Sequence, residues 1–201
     1  MSKVKKGQYG YFDGQKKSKF LTSVICLAIP VFIIYSSQAY FGTNKNIFTV
    51  IGMIGLVPFA MSLVSTIMFA MRKSIPASEH DAIAPHEGNL TVGYELYMTD
   101  EKKNSLVDCV CICGNEVVCL VTDPKTDQKF LKEHIIKHLK IDKFYCNVHI
   151  LGDLKHFTER MDEMNEHADS LRKGLRFSPD ERYPGFGRED MILHTLCTIS
   201  L

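Results

Sequence analysis

The chain has 201 residues, enough for one ordinary domain and a membrane anchor, and its formal net charge is only +1. Residues 1–75 carry nine Lys or Arg and one acid, whereas residues 76–201 carry 15 basic and 22 acidic residues. Seven cysteines would suit a small secreted protein, but one lies in an apolar segment and three alternate along a predicted strand. This pattern argues against a disulfide framework.

The first segment, residues 1–19, is predicted to be a basic cytoplasmic tail. Its six lysines are Lys3, Lys5, Lys6, Lys16, Lys17 and Lys19. We interpret them as a signal that orients the chain in a membrane. Because aromatic residues are interleaved with them, the alternative is a tail that lies on anionic lipid headgroups.

Two apolar segments without any charged residue follow the tail, at 20–41 and 47–71. Roughly 20 apolar residues suffice to cross a bilayer, so both are predicted to be transmembrane helices, joined by an external loop at 42–46. Arg72 and Lys73 follow the second span, and the loop holds only Lys45. The distribution of basic residues therefore predicts a multi-pass protein of the inner or plasma membrane, with both termini in the cytoplasm.

A cleavable signal peptide is the alternative for the first span, because the basic start and apolar run are followed by Ser37-Gln38-Ala39. The apolar run is longer than the usual apolar core of a signal peptide, and cleavage would still leave the second span delivering the C-terminus to the cytoplasm. The predicted location of the C-terminal domain is the same in both cases.

Small residues along the second span, such as Gly52 and Gly55, would let two helices approach closely. We expect the two spans to pack against each other, and a homo-oligomer through these helices is the alternative. Neither span contains a charged residue, which argues against an ion or proton path.

A linker is predicted at 72–90, with at most a short helix, and a cytoplasmic α/β domain at 91–201. Its strands alternate with amphipathic helices, so the fold class is α/β or α+β, a βββαβαβ sandwich. The predicted elements are strands 91–98, 105–113 and 116–122 with a turn at Gly114-Asn115, a helix at 127–140, a strand at 146–151, a helix from 154 to about 173, a loop at 176–190 and a strand at 191–200.

The candidate catalytic and metal-binding residues are Asp108, Asp123 and Lys125. With a two-residue turn, Asp108 would face Val121, and Asp123 would lie one diagonal step away, at ~7 Å. Two carboxylates at that distance could share Mg²⁺. This constellation resembles the PD-(D/E)xK nuclease superfamily, which implies that the metal and the lysine would activate a water against a phosphodiester.

Three observations oppose this interpretation. Pro124 would remove a hydrogen-bond donor from the strand. The stretch from Asp123 to Asp127 is also typical of a turn and helix N-cap. The net charge of about −7 over residues 76–201 makes nucleic acid an unfavourable partner, since basic surface supplies most nonspecific affinity.

Two other groups of metal-ligating residue types are explained more simply as structural. Cys109, Cys111 and Cys113 alternate along a strand, whereas zinc sites gather thiolates at a turn, so we expect reduced core residues. His134 and His138 share one helix face but lack an acidic third ligand between them, so we expect them to flank the helix core.

The layout as a whole, with Asn46-Ile47-Phe48-Thr49-Val50 opening the second span and Ile112-Cys113-Gly114-Asn115 in the domain, resembles a family of bacterial two-span membrane proteins. The resemblance implies the topology and no activity. Our leading hypothesis is therefore a membrane-tethered cytoplasmic interaction or regulatory module without catalysis or cofactor, acting on a protein partner. The alternative is a membrane-anchored, Mg²⁺-dependent nuclease-like enzyme.

Overall fold

The computed structural model describes residues 4–43, 45–99, 104–175, 177 and 182–200. It divides into two compact units. One is Phe12–Lys73, and the other combines the N-terminal residues up to Tyr11 with Ser74–Leu201.

The first unit is a pair of helices, α1 (Tyr11–Phe41) and α2 (Ile47–Ala70). Both are long and apolar enough to cross a membrane, with mean hydropathies of 2.1 and 2.3 over their most apolar windows. α1 begins nine residues before the predicted span, so its first turns carry Lys16, Lys17 and Lys19 of the tail. α2 begins at Asn46, whose side chain accepts a hydrogen bond from the Thr49 amide at 3.0 Å and caps the helix.

The two helices pack against each other, as the small residues predict. A Cβ atom on Gly52 would lie 2.5 Å from Ile34 Cγ1, so only glycine permits this approach. Ser23 adds hydrogen bonds to Ser62 at 2.9 Å and to Thr66 at 2.8 Å.

The second unit contains a four-stranded sheet in the order β1-β2-β3-β4. The four strands correspond to the predicted ones and run over Thr91–Thr99, Asn104–Cys113, Glu116–Leu120 and Asn147–Leu151. β1, β2 and β3 are antiparallel, and β4 is parallel to β3. Gly114 in the β2–β3 turn has a φ of +60°, which glycine adopts without strain.

Helices cover both faces of this sheet, in agreement with the predicted fold class. The core on one face contains Leu131, Ile135 and Leu139 of α4 (Gln128–Ile141) with side chains of the C-terminal helix. The core on the other face contains Phe157, Met161 and Met164 of α5 (Leu154–Glu166). The short helices α3 (Ala77–Ile83) and α6 (Ala168–Arg172) contribute Ile83 and Ala168 to that second core.

The C-terminal segment differs from the prediction, because residues 188–199 form a helix, α7 (Arg188–Ile199), and not a strand. Its apolar residues also fit a helical spacing, since Ile192 and Leu196 lie one turn apart and both are fully buried. Asp190 accepts a hydrogen bond from the Gly187 amide at 2.9 Å at the helix start. Ser200 alone pairs with Met98, as an isolated bridge, so no fifth strand forms among the described residues.

A further difference concerns one predicted helix, whereas the predicted linker contains the short helix that the sequence allows. The predicted helix from 154 to 173 is two helices, α5 and α6, separated at His167. The predicted linker contains α3 and a 3₁₀ turn (Ala84–His86), and the side chain of Ile83 is fully buried. Apolar packing therefore makes this segment part of the domain.

Glu189 connects the start of α7 to three other elements. Its carboxylate accepts hydrogen bonds from the Gly114 amide at 2.7 Å, from Arg172 Nε and Nη2 at 2.8 Å each, and from Thr91 Oγ1 at 3.2 Å. Burial acts to raise the pKa of Glu189, but the hydrogen bonds from Arg172 and Gly114 outweigh it and lower that pKa.

The N-terminal tail packs on the domain, a contact that neither interpretation of the tail from sequence includes. The Gly7 carbonyl accepts a hydrogen bond from the Tyr94 amide of β1 at 2.8 Å. Lys6 Nζ donates to the Ser200 carbonyl at 2.6 Å, and the Tyr9 ring stacks on His80 at 3.9 Å. Residues 6–9 thus lie against the outer edge of the sheet.

Candidate functional site

The predicted register around Asp108 is confirmed. Cys113 pairs with Glu116 and Cys109 with Leu120, which places Asp108 opposite Val121. The Asp108 side chain is only 6% exposed. Its Oδ2 accepts hydrogen bonds from Thr122 N–H at 2.7 Å and from Thr122 Oγ1 at 2.8 Å. The carboxylate therefore holds the backbone immediately after β3.

The strands are irregular at this point, which the sequence does not indicate. Glu95, which the register places opposite Asp108, has a φ of +56°. Side chains two residues apart normally share a face, yet Tyr94 and Leu96 lie in different cores, and so do Val107 and Cys109. Both strands change faces at the Glu95–Asp108 pair.

Asp123 and Lys125 lie beyond the sheet, because β3 ends at Leu120 and not at the predicted residue 122. Asp123 is exposed, and its Oδ1 accepts a hydrogen bond from the Lys125 amide at 2.9 Å. The Thr126 amide also donates to the Asp123 carbonyl at 3.1 Å. The Lys125 side chain is exposed and belongs to a turn. Lys125 would share a strand face with Asp123 only if β3 continued to residue 125, and β3 ends before it.

A third carboxylate, from Glu79 of α3, lies in the same electrostatic environment. Burial and the nearby Asp108 raise the pKa of Glu79. Glu79 Oε2 is buried and has no hydrogen-bond partner within the described ranges. The sequence analysis missed Glu79 because it falls in the predicted linker. Pro76 before an acidic first turn was the available signal for a helix start.

Burial also raises the pKa of Asp108; the two hydrogen bonds from Thr122 oppose this shift, and the charge of Asp123 adds to it. The charge of Asp108 therefore disfavours ionisation of Glu79, and the charge of Asp123 disfavours ionisation of Asp108. Among the residues that the structure describes, however, no group of three or more His, Cys, Asp or Glu side chains is placed to hold a metal ion.

The cysteines of the hairpin are buried free thiols, as predicted. Cys109, Cys111 and Cys113 belong to the core under α5, whereas Cys119 belongs to the core under α4. Burial raises the pKa of each of these thiols, and that of Cys119 to about 12. They are therefore protonated at neutral pH and unsuited to nucleophilic attack.

The two histidines of α4 lie where the sequence predicts. The His134 and His138 rings are 4.6 Å apart, and both side chains are half-buried beside the Leu131, Ile135 and Leu139 stripe. Their spacing follows from one helical turn, and the packing of α4 accounts for it.

No protein family, curated protein or solved structure matches this chain. The resemblances to a two-span family and to PD-(D/E)xK nucleases therefore remain predictions.

The Asp108 hydrogen bonds predict different effects of two substitutions. Asp108→Asn keeps an acceptor for Thr122 and removes a charge that burial penalises, so we expect the free energy of unfolding at pH 7 to fall by less than about 1 kcal/mol. Asp108→Ala removes the acceptor and should cost about 1–3 kcal/mol. Asp123→Ala, at an exposed position, should cost about 0.5 kcal/mol or less. Urea unfolding of the full chain in detergent micelles measures these differences.

The same variants predict the direction in which the free energy of unfolding changes with pH. A carboxyl whose pKa is raised by folding lowers stability as the pH rises through its titration, because the folded state keeps the proton longer. Asp108→Asn should therefore be more favourable relative to the wild type at pH 7 than at pH 4. An Asn variant as unstable as the Ala variant at both pH values would contradict this role of Asp108.

Proposed function

We propose that the protein is a two-span membrane protein of the inner or plasma membrane with both termini in the cytoplasm. Its α/β domain serves there as an interaction or regulatory module without catalysis. The main observation behind the proposal is the hydrogen bond between Gly7 and Tyr94. Both residues belong to one compact unit, which combines the residues up to Tyr11 with Ser74–Leu201.

This contact supports a particular topology. If α1 and α2 each cross the bilayer once, the chain returns to its starting side, and the tail and the domain can meet only on that side. The lysines before α1 and Arg72 and Lys73 after α2 favour the cytoplasm for it. Cleavage after Ala39 would remove Gly7 and Tyr9 from the domain, so the contact also favours a retained first span.

We propose the absence of catalysis because of the hydrogen bonds, positions and protonation of the candidate catalytic side chains. Oδ2 of Asp108 holds Thr122, and Oδ1 of Asp123 closes a turn. Lys125 extends from that turn and not from a strand. The buried thiols are protonated, as their raised pKa values require. Asp108, Asp123 and the buried thiols thus have structural roles that account for their positions.

Cysteine accessibility tests the topology. In a background with Cys26, Cys146 and Cys197 replaced by serine, Gln8→Cys, Lys45→Cys and Lys155→Cys are expressed singly. All three positions are exposed. A membrane-impermeant maleimide should label Lys45→Cys in intact cells, and the other two only after permeabilisation. Labelling of Gln8→Cys and Lys155→Cys from opposite sides would contradict the proposal.

A second candidate function is Mg²⁺-dependent cleavage of phosphodiesters, and the third carboxylate from Glu79 favours it. Carboxylate oxygens are the ligands that Mg²⁺ prefers. The hydrogen bonds use one oxygen each of Asp108 and Asp123, so each carboxylate keeps a second oxygen. A cation between Asp108 and Asp123 would offset the charge of Asp123, which adds to the effect of burial in raising the pKa of Asp108.

A cleavage assay separates the two candidates. A non-catalytic module predicts that the purified full chain leaves labelled DNA and RNA intact in Mg²⁺ and in Mn²⁺. Metal-dependent cleavage that is lost in Asp123→Ala and in Glu79→Gln would instead establish the enzyme. Glu163→Gln is the matched control, since Glu163 is an exposed carboxylate on α5.

A further inference from the structure

The exposed side of α4 and its flanks carries an unusual concentration of lysines, which we call the lysine face. All of its members are exposed. Among the described residues, none of their side chains forms an ion pair or a hydrogen bond, whereas α5 pairs Arg160 with Glu163 at 2.7 Å. The lysine face consists of Lys125, Lys129, Lys132, Lys137, Lys140 and Lys143.

Four acids lie among the six lysines in the sequence, so residues 123–143 carry a net charge of +2. Asp127 caps α4 by accepting from the Phe130 amide at 3.1 Å, and Asp142 accepts from Thr195 Oγ1 at 2.7 Å. Glu133 is the single acid within the sequence of α4. The net negative charge of residues 76–201 made nucleic acid an unfavourable partner, but six of the 15 basic residues of that region lie on this one surface.

The chemistry of the lysine face disfavours two kinds of partner. An interfacial membrane helix buries its apolar stripe in lipid, but Leu131, Ile135 and Leu139 of α4 are already at most 1% exposed in the core. Protein interfaces are depleted of lysine and enriched in arginine and aromatic residues. Exposed lysine ammonium groups without ion-pair partners among the described residues suit a polyanionic partner.

One exposed aromatic side chain lies close to these lysines in the sequence. Tyr145 is 71% exposed, follows α4 by four residues and lies close in sequence to Lys140 and Lys143. Proteins that bind single-stranded nucleic acid combine basic residues along the backbone with an aromatic ring on which a base stacks.

We propose that the lysine face binds single-stranded nucleic acid through its phosphates, with Tyr145 stacking on a base. Lys129 and Lys140 are eleven positions apart on the helix, a length of about 16 Å at ~1.5 Å per residue, so the lysine face is long enough to contact more than one phosphate of a single strand. This inference rests on the proposed interaction module and names its partner. It requires neither the membrane topology nor cleavage.

Fluorescence anisotropy with a labelled 15-nucleotide oligothymidylate tests the proposal, using the full chain in nanodiscs of zwitterionic lipid with EDTA. Binding should weaken with salt, with a slope of log K against log salt of about −2 to −4, since each neutralised phosphate contributes about −0.7. The K129Q/K132Q/K137Q/K140Q variant should bind at least about tenfold more weakly, with a flatter slope. Tyr145→Ala should weaken binding about fivefold or more and leave the slope unchanged.

Three further variants are matched controls. K16Q/K17Q/K19Q removes lysines outside the face and should change affinity less than about twofold. Arginine at positions 129, 132, 137 and 140 keeps the charge and should preserve the salt slope. Glu133→Lys adds a charge without removing any contact of the lysine face, and it should strengthen binding and steepen the slope even if the glutamine variant folds poorly.

Several outcomes would overturn the proposal. The wild type could fail to bind the oligonucleotide, or the glutamine variant could fold and bind as the wild type does. The α4 and tail variants could also lose the same amount of affinity. Binding to phosphatidylglycerol vesicles that depends on these four lysines, without oligonucleotide binding, would assign the surface to lipid instead. If the oligonucleotide does not bind but Gln8→Cys and Lys155→Cys are both labelled from the cytoplasm, nucleic acid is excluded as the partner and the proposed topology stands.

Discussion

The hydrogen bond from Tyr94 to Gly7 is the interaction on which the arrangement of the chain depends. It joins the first residues to the first strand of a domain that begins more than 60 residues later. Stacking of Tyr9 on His80 and the bond from Lys6 to Ser200 fix the same segment at two more points. An exposed strand edge invites pairing with other chains, and here the chain covers part of that edge with its own tail.

The sheet imposes the second constraint. Nearly all of β2 is buried, so both of its faces require cover, and α4 with α7 on one side and α5 with α3 and α6 on the other provide it. Small thiols at Cys109, Cys111 and Cys113 suit this double burial because they pack as small apolar groups. The irregularity at Glu95 and Asp108 interrupts the regular alternation of faces. Asp108 lies at this point, and it interacts electrostatically with the carboxylates of Glu79 and Asp123.

Much of the fold follows from the sequence because its signals are local. The Gly114-Asn115 turn sets the β2–β3 register, and Leu131, Ile135 and Leu139 define α4. The C-terminal helix was predicted as a strand because a short apolar run is compatible with both structures. The tail contact and the position of Glu79 near Asp108 leave no local pattern, since each joins residues distant in the sequence. The lysine face is local in sequence, but the net charge of residues 76–201 concealed it because that sum includes the acidic residues of every other surface.

Hydrogen exchange at the Tyr94 amide tests most directly whether the tail belongs to the domain. Gly7 has a φ of +84°, and a Cβ atom there would lie 3.0 Å from Cys197 Sγ, so Gly7→Val should displace the tail. In the full chain, the Tyr94 amide should exchange slowly in the wild type and at least about tenfold faster in Gly7→Val, which corresponds to a loss of about 1.4 kcal/mol or more of local protection. Amides of Cys109–Cys113 should exchange equally in both proteins. Equal exchange at Tyr94 in the two proteins would contradict the packing of the tail on β1.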